Sequence, residues 1–454
     1  MERFSFFQQV RENVPAYGQF CQDRSLQTSV AWHDIPVIDK STYLLCYPLP
    51  DLCWNGDLGS LHLLGASSGF GKSGTLFWPK RPQDEQDYLQ AIEYSLREHY
   101  AIHERKTLIM VCLAFGLWIG GMQIATAIRT LAVRGQPGII CATPGLNLSE
   151  AVEVYLQLQG HVEQTLIITN PSNIGVLTAL FGRAGCDIAN GRISFPVVGE
   201  YFSEHTRRGI AARYGHPPEA PFCLWTGYGS ADTGDLGMET EPTIALRKHI
   251  CDHPSLSHRL FGTRDTPMLF VPTGKAFFEI INDEIVVTKD QLIPLVRYNT
   301  RDKGHLLAKE DVRPLIPEHL AAPLPDQILC VHGRSDDSVV FYGTNLRVEE
   351  INQHFLTLDA SFGYGGLFQV SSREIDGVAL FSFTIFCETP ERAGLADRYR
   401  QSLLAFLLTS SNEFKAKYDH LAAVIGDRLL QVRVADIRQR QGNLKHKFIV
   451  EDTI

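Results

Sequence analysis

The sequence lacks a Cys-x-x-Cys pair, although it contains ten cysteines. These are scattered from Cys21 to Cys387, which suits reduced thiols in a cytosolic protein better than a disulfide framework. A secretory leader is also lacking, because MERFSFFQQVREN offers neither a long hydrophobic core nor a small-residue cleavage site. The sequence therefore predicts a cytoplasmic protein without disulfide bonds that starts with a helix.

There is no excess of positive charge: 42 Lys and Arg residues stand against 51 Asp and Glu residues, for a net charge of −9. This balance argues against a nucleic-acid partner. Repeats and low-complexity segments are absent, and 44% hydrophobic with 20% charged residues is typical of a folded globular chain. A length of 454 residues fits about three typical domains, or one large unit and a small one.

A transmembrane helix is not expected either, although the stretch from Thr107 to Ile128 carries no charge and is long enough to cross a bilayer. The stretch is split at Gly116 and again at Gly120–Gly121. It therefore predicts a buried parallel strand followed by a helix, and no membrane partner.

Short apolar runs alternate with helical patterns along the first half of the chain, as expected for helices that cover a largely parallel sheet. The candidate strands are 61–66, 107–114, 138–143, 165–170, 192–200 and 222–229, and the candidate helices are 84–100, 119–133, 149–158 and 203–214. After Gly229 the pattern becomes β-rich, and 337–454, with a helix through 397–408, predicts a small α+β domain. The fold class is therefore α/β.

A loop rich in glycine and hydroxyl residues follows the first strong strand, and its composition suits a phosphate group. Its candidate residues are Ser67, Ser68, Gly69, Gly71, Lys72, Ser73 and Thr75. A Walker P-loop would need a glycine at Ala66, so that pattern fails by one position. The loop also resembles the Ser-Ser-Gly-Thr-Thr-Gly-Lys loop of adenylate-forming enzymes, with Phe70 replacing a hydroxyl residue and with one residue fewer.

Three further motifs of adenylate-forming enzymes follow in the expected order. LWTGYGSAD (224–232) resembles their Tyr-Gly-x-Ser/Thr-Glu element, and PLVRYNTRD (294–302) resembles Pro-Leu-x-Arg-Tyr-x-Thr-Gly-Asp. GRSDD (333–337), closing with YGTNL (342–346), resembles the hinge of the family. Within this superfamily the segments 35–40, 115–121 and 229–239 are most similar to the phenylacetate-CoA ligase branch, which is related to acyl-protein synthetases.

This resemblance implies a large adenylation domain with mixed sheets and covering helices (1–332), a hinge (333–336) and a small α+β lid (337–454). It implies conversion of a small-molecule carboxylate and ATP to acyl-AMP and pyrophosphate, followed by transfer to the thiol of CoA or of a carrier protein. An amine acceptor and a monomeric or homodimeric state stay open.

The resemblance also assigns roles to individual residues. Asp232 would hold Mg²⁺, Asp302 would take both ribose hydroxyls, and Lys72 would contact phosphate. Lys445 would be the mobile catalytic lysine, with Lys447 as the alternative, and Asp336 would be the hinge. The remaining candidates for ATP or AMP binding are Gly227, Tyr228, Gly229, Ser230, Arg297 and Arg334.

Two departures from the family pattern keep other functions open. Asp232 is a methylene shorter than the usual Glu, and Arg301 replaces the usual Gly before Asp302. Together with Phe70 they suggest an alternative, a fold that has lost turnover and serves as a binding subunit. The second alternative is a P-loop NTPase or kinase, which would leave the three later motifs unexplained.

The acid itself is not identified by the sequence. Phe115, Trp118 and Trp225 lie near predicted strand ends, which favours an aromatic or heteroaromatic carboxylate. A separate group, His249, Cys251 and His253, has ligand types suited to zinc, but its spacing matches no closed finger pattern. Surface histidines with other partners are the alternative for that group.

Overall fold

The computed structural model describes residues 2–59, 61–66, 76–117, 119–135, 138–262, 266–334, 338–375, 378–387 and 390–436. The helices are α1 (Arg3–Asn13), α2 (Pro15–Asp23), α3 (Leu49–Leu52), α4 (Pro82–Tyr100), α5 (Ile119–Val133), α6 (Leu148–Leu158), α7 (Asn173–Arg183), α8 (Glu204–Arg213), α9 (Glu241–Asp252), α10 (Pro254–Phe261), α11 (Lys309–Val312), α12 (Glu318–Ala321), α13 (Val348–Leu356), α14 (Leu395–Ser410) and α15 (Asn412–Ile425).

The strands are β1 (Leu63–Ala66), β2 (Phe77–Lys80), β3 (Thr107–Val111), β4 (Ile139–Ala142), β5 (Gln164–Ile168), β6 (Ile193–Val197), β7 (Leu224–Ser230), β8 (Gly234–Met238), β9 (Met268–Pro272), β10 (Ala276–Ile281), β11 (Glu284–Lys289), β12 (Leu295–Ala308), β13 (Gln327–Arg334), β14 (Ser338–Phe341), β15 (Thr344–Arg347), β16 (Tyr364–Ile375), β17 (Val378–Cys387) and β18 (Leu430–Asp436).

An eleven-stranded sheet organises most of the chain, in the order β10-β11-β12-β13-β9-β8-β7-β6-β5-β3-β4. In this spatial order, the neighbouring strands β7, β6, β5, β3 and β4 pair in parallel. The neighbouring strands from β10 across to β7 pair antiparallel. A separate three-stranded sheet, β16-β17-β18, lies near the C-terminus. The predicted α/β class, a large mixed-sheet unit followed by a smaller α+β unit, is confirmed.

The uncharged stretch 107–128 forms a strand and a helix, as predicted. Every residue of β3 is buried, which is typical of a parallel strand covered on both faces. Helix α5 follows after the glycine turn. Across the described ranges, no helix is both long and apolar enough to cross a membrane. All ten cysteines fall within the described ranges, and each is a free thiol.

Several helices are not predicted by the sequence pattern, among them α7, α9, α10 and α15. Helix α9 interrupts the region that was predicted to be β-rich. Its start carried a local signal, because Thr240 and Thr243 form a capping box and Pro242 occupies the first turn, where a missing N–H costs nothing. The strand-like apolar runs on either side of this segment led to a β-rich prediction despite these helix-start signals.

The C-terminal elements pack onto the large sheet unit. One core cluster joins residues of β3, β5 and β6 to residues of β16, β17, α14 and α15. A second cluster is formed by α1 and α2, which pack against Trp78 and Tyr298. The N-terminal helices therefore support the strand that carries the 294–302 motif.

Candidate functional site

Tyr228 and Asp302 meet above the middle of the large sheet. The Tyr228 hydroxyl donates a hydrogen bond of 2.6 Å to Oδ2 of Asp302, although β8, β9 and β13 lie between their strands. The Tyr228 ring stacks on Phe270 of β9, with ring centres 5.6 Å apart. Two predicted nucleotide residues are thus brought together, and both side chains are partly exposed. The carboxylate can accept hydrogen bonds from the two hydroxyls of a ribose, and the aromatic ring offers a face on which a nucleotide base can stack.

Near this pair, two backbone segments approach each other closely at one of the predicted glycines. A Cβ atom on Gly229 would lie 2.4 Å from the carbonyl oxygen of Gly234, so only glycine fits where β7 meets β8. Ser230 bonds to Thr233 across the same turn, and Gly227 pairs with Met238. Arg334 is the cross-strand partner of Asp302 in the β12–β13 register.

Asp232, the predicted magnesium ligand, is buried in the turn between β7 and β8 and already has cationic and hydroxyl partners. Its Oδ2 accepts a 2.5 Å hydrogen bond from the Tyr298 hydroxyl and lies 2.9 Å from Nζ of Lys40. The described residues contain no group of three acidic, histidine or cysteine side chains arranged to hold a metal ion. Mg²⁺ in nucleotide sites takes one or two protein carboxylates together with the substrate phosphates, so the magnesium role of Asp232 stays a prediction, and in this structure Lys40 already neutralises that carboxylate.

Arg297 is a structural anchor in this fold, which differs from its predicted nucleotide role. It is buried, its Nε lies 3.2 Å from Glu279, and its Nη1 donates to three carbonyl groups of the N-terminal segment. Those carbonyls belong to Trp32, His33 and Ile35. The guanidinium therefore ties the segment that precedes Lys40 to β12.

Arg301 contacts carboxylates rather than leaving a free cation beside the predicted nucleotide site. Its guanidinium pairs with Asp39 and lies 3.6 Å from Glu284. Its φ is +63°, in the left-handed region where the family pattern has glycine. Asp39 also caps the short helical turn Lys40–Leu44 by accepting from the Thr42 amide at 2.8 Å. Lys40 and Asp39 thus connect the N-terminal segment to both the 224–232 and 294–302 motifs, and sequence reasoning did not assign either residue to the site.

The predicted phosphate-loop, hinge and catalytic-lysine residues and one residue of the predicted aromatic pocket lie outside the described ranges. These are Ser67, Ser68, Gly69, Gly71, Lys72, Ser73, Thr75, Trp118, Asp336, Lys445 and Lys447. The strands that flank the phosphate loop pair antiparallel, with Ala66 opposite Phe77. The Ala66 amide donates to the Leu117 carbonyl at 2.6 Å, so the base of the loop adjoins the turn that follows Phe115.

The predicted aromatic pocket is not assembled from the residues that can be located. Phe115 borders an open groove along α5 with Met122 and Arg129. Trp225 instead lies against His99 of α4 and donates to the Glu239 carbonyl at 2.8 Å. Of the zinc candidates, His249 and His253 have ring centres 4.3 Å apart, but Nδ1 of His253 bonds to the His249 carbonyl at 2.7 Å. Within the described part of the chain, Cys251 does not join them in a group of three metal ligands.

Comparison with solved structures identifies the architecture. A 2-hydroxyisobutyryl-CoA ligase in complex with 2-HIB-AMP and CoA, in the thioesterification state, superposes with a TM-score of 0.65 at 14% identity. The match covers 99% of this chain and 88% of that one. The chain has the adenylate-forming fold. No family model matches the sequence, and no curated protein matches it significantly.

Two further structures of that ligase agree with the adenylate-forming fold at lower similarity. The open conformation with 2-HIB-AMP and CoA and the postadenylation state with R3-HIB-AMP each give a TM-score of 0.53 at 14% identity, covering 99% of this chain and 90% and 88% of those chains. At this identity the likeness establishes the fold alone, so function must be argued from the site.

Proposed function

We propose that this protein activates a carboxylic acid with ATP as an acyl-AMP, with release of pyrophosphate, and then transfers the acyl group to a thiol. The observation that supports this most directly is the Tyr228–Asp302 pair, which lies in the two motifs that resemble the nucleotide elements of adenylate-forming enzymes. The adenylate-forming fold supports the same proposal.

The proposed chemistry has two displacement steps. A carboxylate oxygen attacks the α-phosphorus of ATP, and the bond to the bridging oxygen of the β-phosphate breaks. A thiolate then attacks the acyl carbon, and AMP leaves. In this scheme the Asp302 carboxylate accepts hydrogen bonds from the ribose hydroxyls. Tyr228 orients that carboxylate, because its hydroxyl holds Oδ2 of Asp302 through a 2.6 Å hydrogen bond.

The finer parts of the proposal rest on resemblance. We place the protein with the phenylacetate-CoA ligase-like branch, in the cytoplasm, with CoA or a carrier-protein thiol as the acceptor. We propose 1–332 as the adenylation domain, 333–336 as the hinge and 337–454 as the lid. An aromatic or heteroaromatic acid remains the preferred substrate class, and Mg²⁺ would have to enter with ATP, since Asp232 is occupied by Lys40 and Tyr298.

The Lys40–Asp232 ion pair favours one other candidate, a nucleotide-binding subunit without turnover. Carboxylate-dependent exchange of labelled pyrophosphate into ATP separates the two, with a panel of aryl and fatty acids and a control without acid. Exchange with at least one acid, with AMP and pyrophosphate as the products in ³¹P NMR, is the expected result. ATP binding without exchange for any acid would favour the subunit, and release of ADP would contradict both.

A further inference from the structure

A cavity of about 650 Å³ borders the turn that carries Asp232 but uses a different set of side chains from those of the nucleotide site. Strands β2 and β11 and helix α4 contribute to its walls. Part of the lining is apolar, from Tyr88, Ala91, Ala276 and Phe277. Two lysines, Lys80 and Lys289, contribute ammonium groups to the same space. The cavity therefore combines an apolar wall with charged side chains, four basic residues and four aspartates.

Lys80 and Lys289 converge on one point above Gly234. A Cβ atom built on Gly234 would lie 3.7 Å from Nζ of Lys80 and 3.4 Å from Nζ of Lys289, so the two nitrogens are at most about 7 Å apart. Gly234 has a φ of +63°, and its missing side chain leaves the space between the two ammonium groups open. Two like charges this close in a buried site repel each other unless an anion lies between them.

Neither lysine has a carboxylate within ion-pair distance in the described part of the chain. Lys80 is only 7% exposed, and its ammonium has no hydrogen-bond partner among the described residues. Lys289 donates to the carbonyls of Thr233 and Asp235, both at 2.7 Å, and these carry no net charge. Burial lowers the pKa of both lysines, to about 8 for Lys289, and nearby carboxylates, Asp84 for both and Asp235 for Lys289, oppose this shift without overcoming it.

The other charged groups of the cavity pair with one another. Arg81 pairs with Asp84 and Asp290, and Lys275 pairs with Asp87. Burial raises the pKa of the Asp235 carboxyl, although Lys289 opposes this shift. Among the described residues, Lys80 and Lys289 are therefore the cationic side chains of this cavity that have no ion-pair partner.

We propose that this cavity binds an oxyanion, a carboxylate or a phosphate group, between the ammonium groups of Lys80 and Lys289. The apolar part of the same ligand would lie against Tyr88 and Phe277. Lys289 also donates to the Thr233 and Asp235 carbonyls in the turn that carries Asp232. A bound anion would therefore contact a lysine that holds this turn in place. This site does not depend on the proposed acyl-AMP chemistry.

Calorimetric titration of the full-length protein tests the site, with sodium phosphate and sodium benzoate as separate probes at matched ionic strength. Lys80→Met and Lys289→Met should each weaken binding by about tenfold or more, because each removes a charge-assisted hydrogen bond. Lys415→Met is the matched control, because it removes the same charge from an exposed pair with Asp419. The probe that loses affinity identifies the anion class.

Site-specific acetylation of lysines, read by peptide mass spectrometry, locates the bound anion in the wild-type protein. The effective probe should protect Lys80 and Lys289 and leave the exposed Lys415 unprotected, and this measurement stands if either variant fails to fold. Equal affinity in all three variants, protection of neither buried lysine, or no binding of either probe would overturn the proposal.

Discussion

At the scale of single residues, Asp302 has the geometry for nucleotide recognition, since its carboxylate is partly exposed and is oriented by Tyr228. We expect Asp302→Ala to weaken ATP binding by about 2–4 kcal/mol, the loss of two charge-assisted hydrogen bonds. Isothermal titration calorimetry measures this. Asp427→Ala, at a carboxylate that is 94% exposed, is the control and should bind normally. Unchanged affinity in Asp302→Ala would remove the ribose assignment.

Arg301 combines an unfavourable backbone conformation with two carboxylate contacts. Its φ of +63° strains any residue with a Cβ atom, so Arg301→Gly should be more stable than Arg301→Ala by about 1 kcal/mol in urea unfolding. Both variants lose the same ion pairs, and their difference therefore isolates the strain. At Arg313, where φ is −49°, the same pair of substitutions should give the opposite order. Equal stability of the two Arg301 variants would contradict this account.

At the scale of elements, the turn Lys40–Leu44 depends on its capping residue, Asp39. Burial by itself would raise the pKa of Asp39. The Thr42 amide and hydroxyl, the Ser41 hydroxyl and the Arg301 guanidinium outweigh burial and lower the pKa to about 2. A carboxyl with a lower pKa in the folded state stabilises the fold above its unfolded pKa, and this stabilisation disappears as the pH falls through the folded value.

We therefore expect Asp39→Asn to lower the free energy of unfolding by about 2 kcal/mol at neutral pH. The difference from wild type should persist down to about pH 5 and shrink between about pH 5 and pH 2. Urea unfolding at a series of pH values measures it. Asp419→Asn, which breaks an exposed ion pair with Lys415, should cost less than about 1 kcal/mol. A pH-independent difference would show that the Asp39 charge is not the cause.

Strands β3 and β5 and helix α9 show which elements the sequence predicts and which it does not. The strands β3 and β5 were found because continuous apolar runs of parallel strands are buried on both faces. Helix α9 was not predicted, and the sequence also gives no sign that its Arg247 is buried against Glu204 and the carbonyls of Phe202 and Pro267. Buried ion pairs join residues that are distant in sequence, and periodicity cannot detect them.

At the scale of the whole molecule, the C-terminal unit packs tightly on the large sheet unit just after the predicted hinge. Gly343 has a φ of +82°, and a Cβ atom there would lie 2.6 Å from the Asn170 amide nitrogen. We propose that this unit acts as a lid that delivers a lysine for the first step and withdraws it for the second.

We expect Lys445→Ala to slow acyl-AMP formation by about 100-fold or more, because the lysine would stabilise charge that develops in the first transition state. Transfer from synthetic acyl-AMP to the thiol should continue at the wild-type rate. Rapid-quench assays measure the two steps separately, and Lys447→Ala is the matched variant. A defect in Lys447→Ala alone would move the assignment by two residues, and no defect in either variant would contradict the lid.

The sequence by itself determined the α/β class and the positions of the strands in the parallel half, and its resemblance to a known family identified the two distant motifs that supply Tyr228 and Asp302. It could do so because backbone periodicity and local motifs depend on neighbouring residues. Only the tertiary structure decided that Lys40 neutralises Asp232, that Arg297 anchors the N-terminal segment, and that Lys80 and Lys289 share a cavity. A buried charge needs a partner because desolvation destabilises it. That partner comes from a distant part of the chain, so neighbouring residues in the sequence do not specify it.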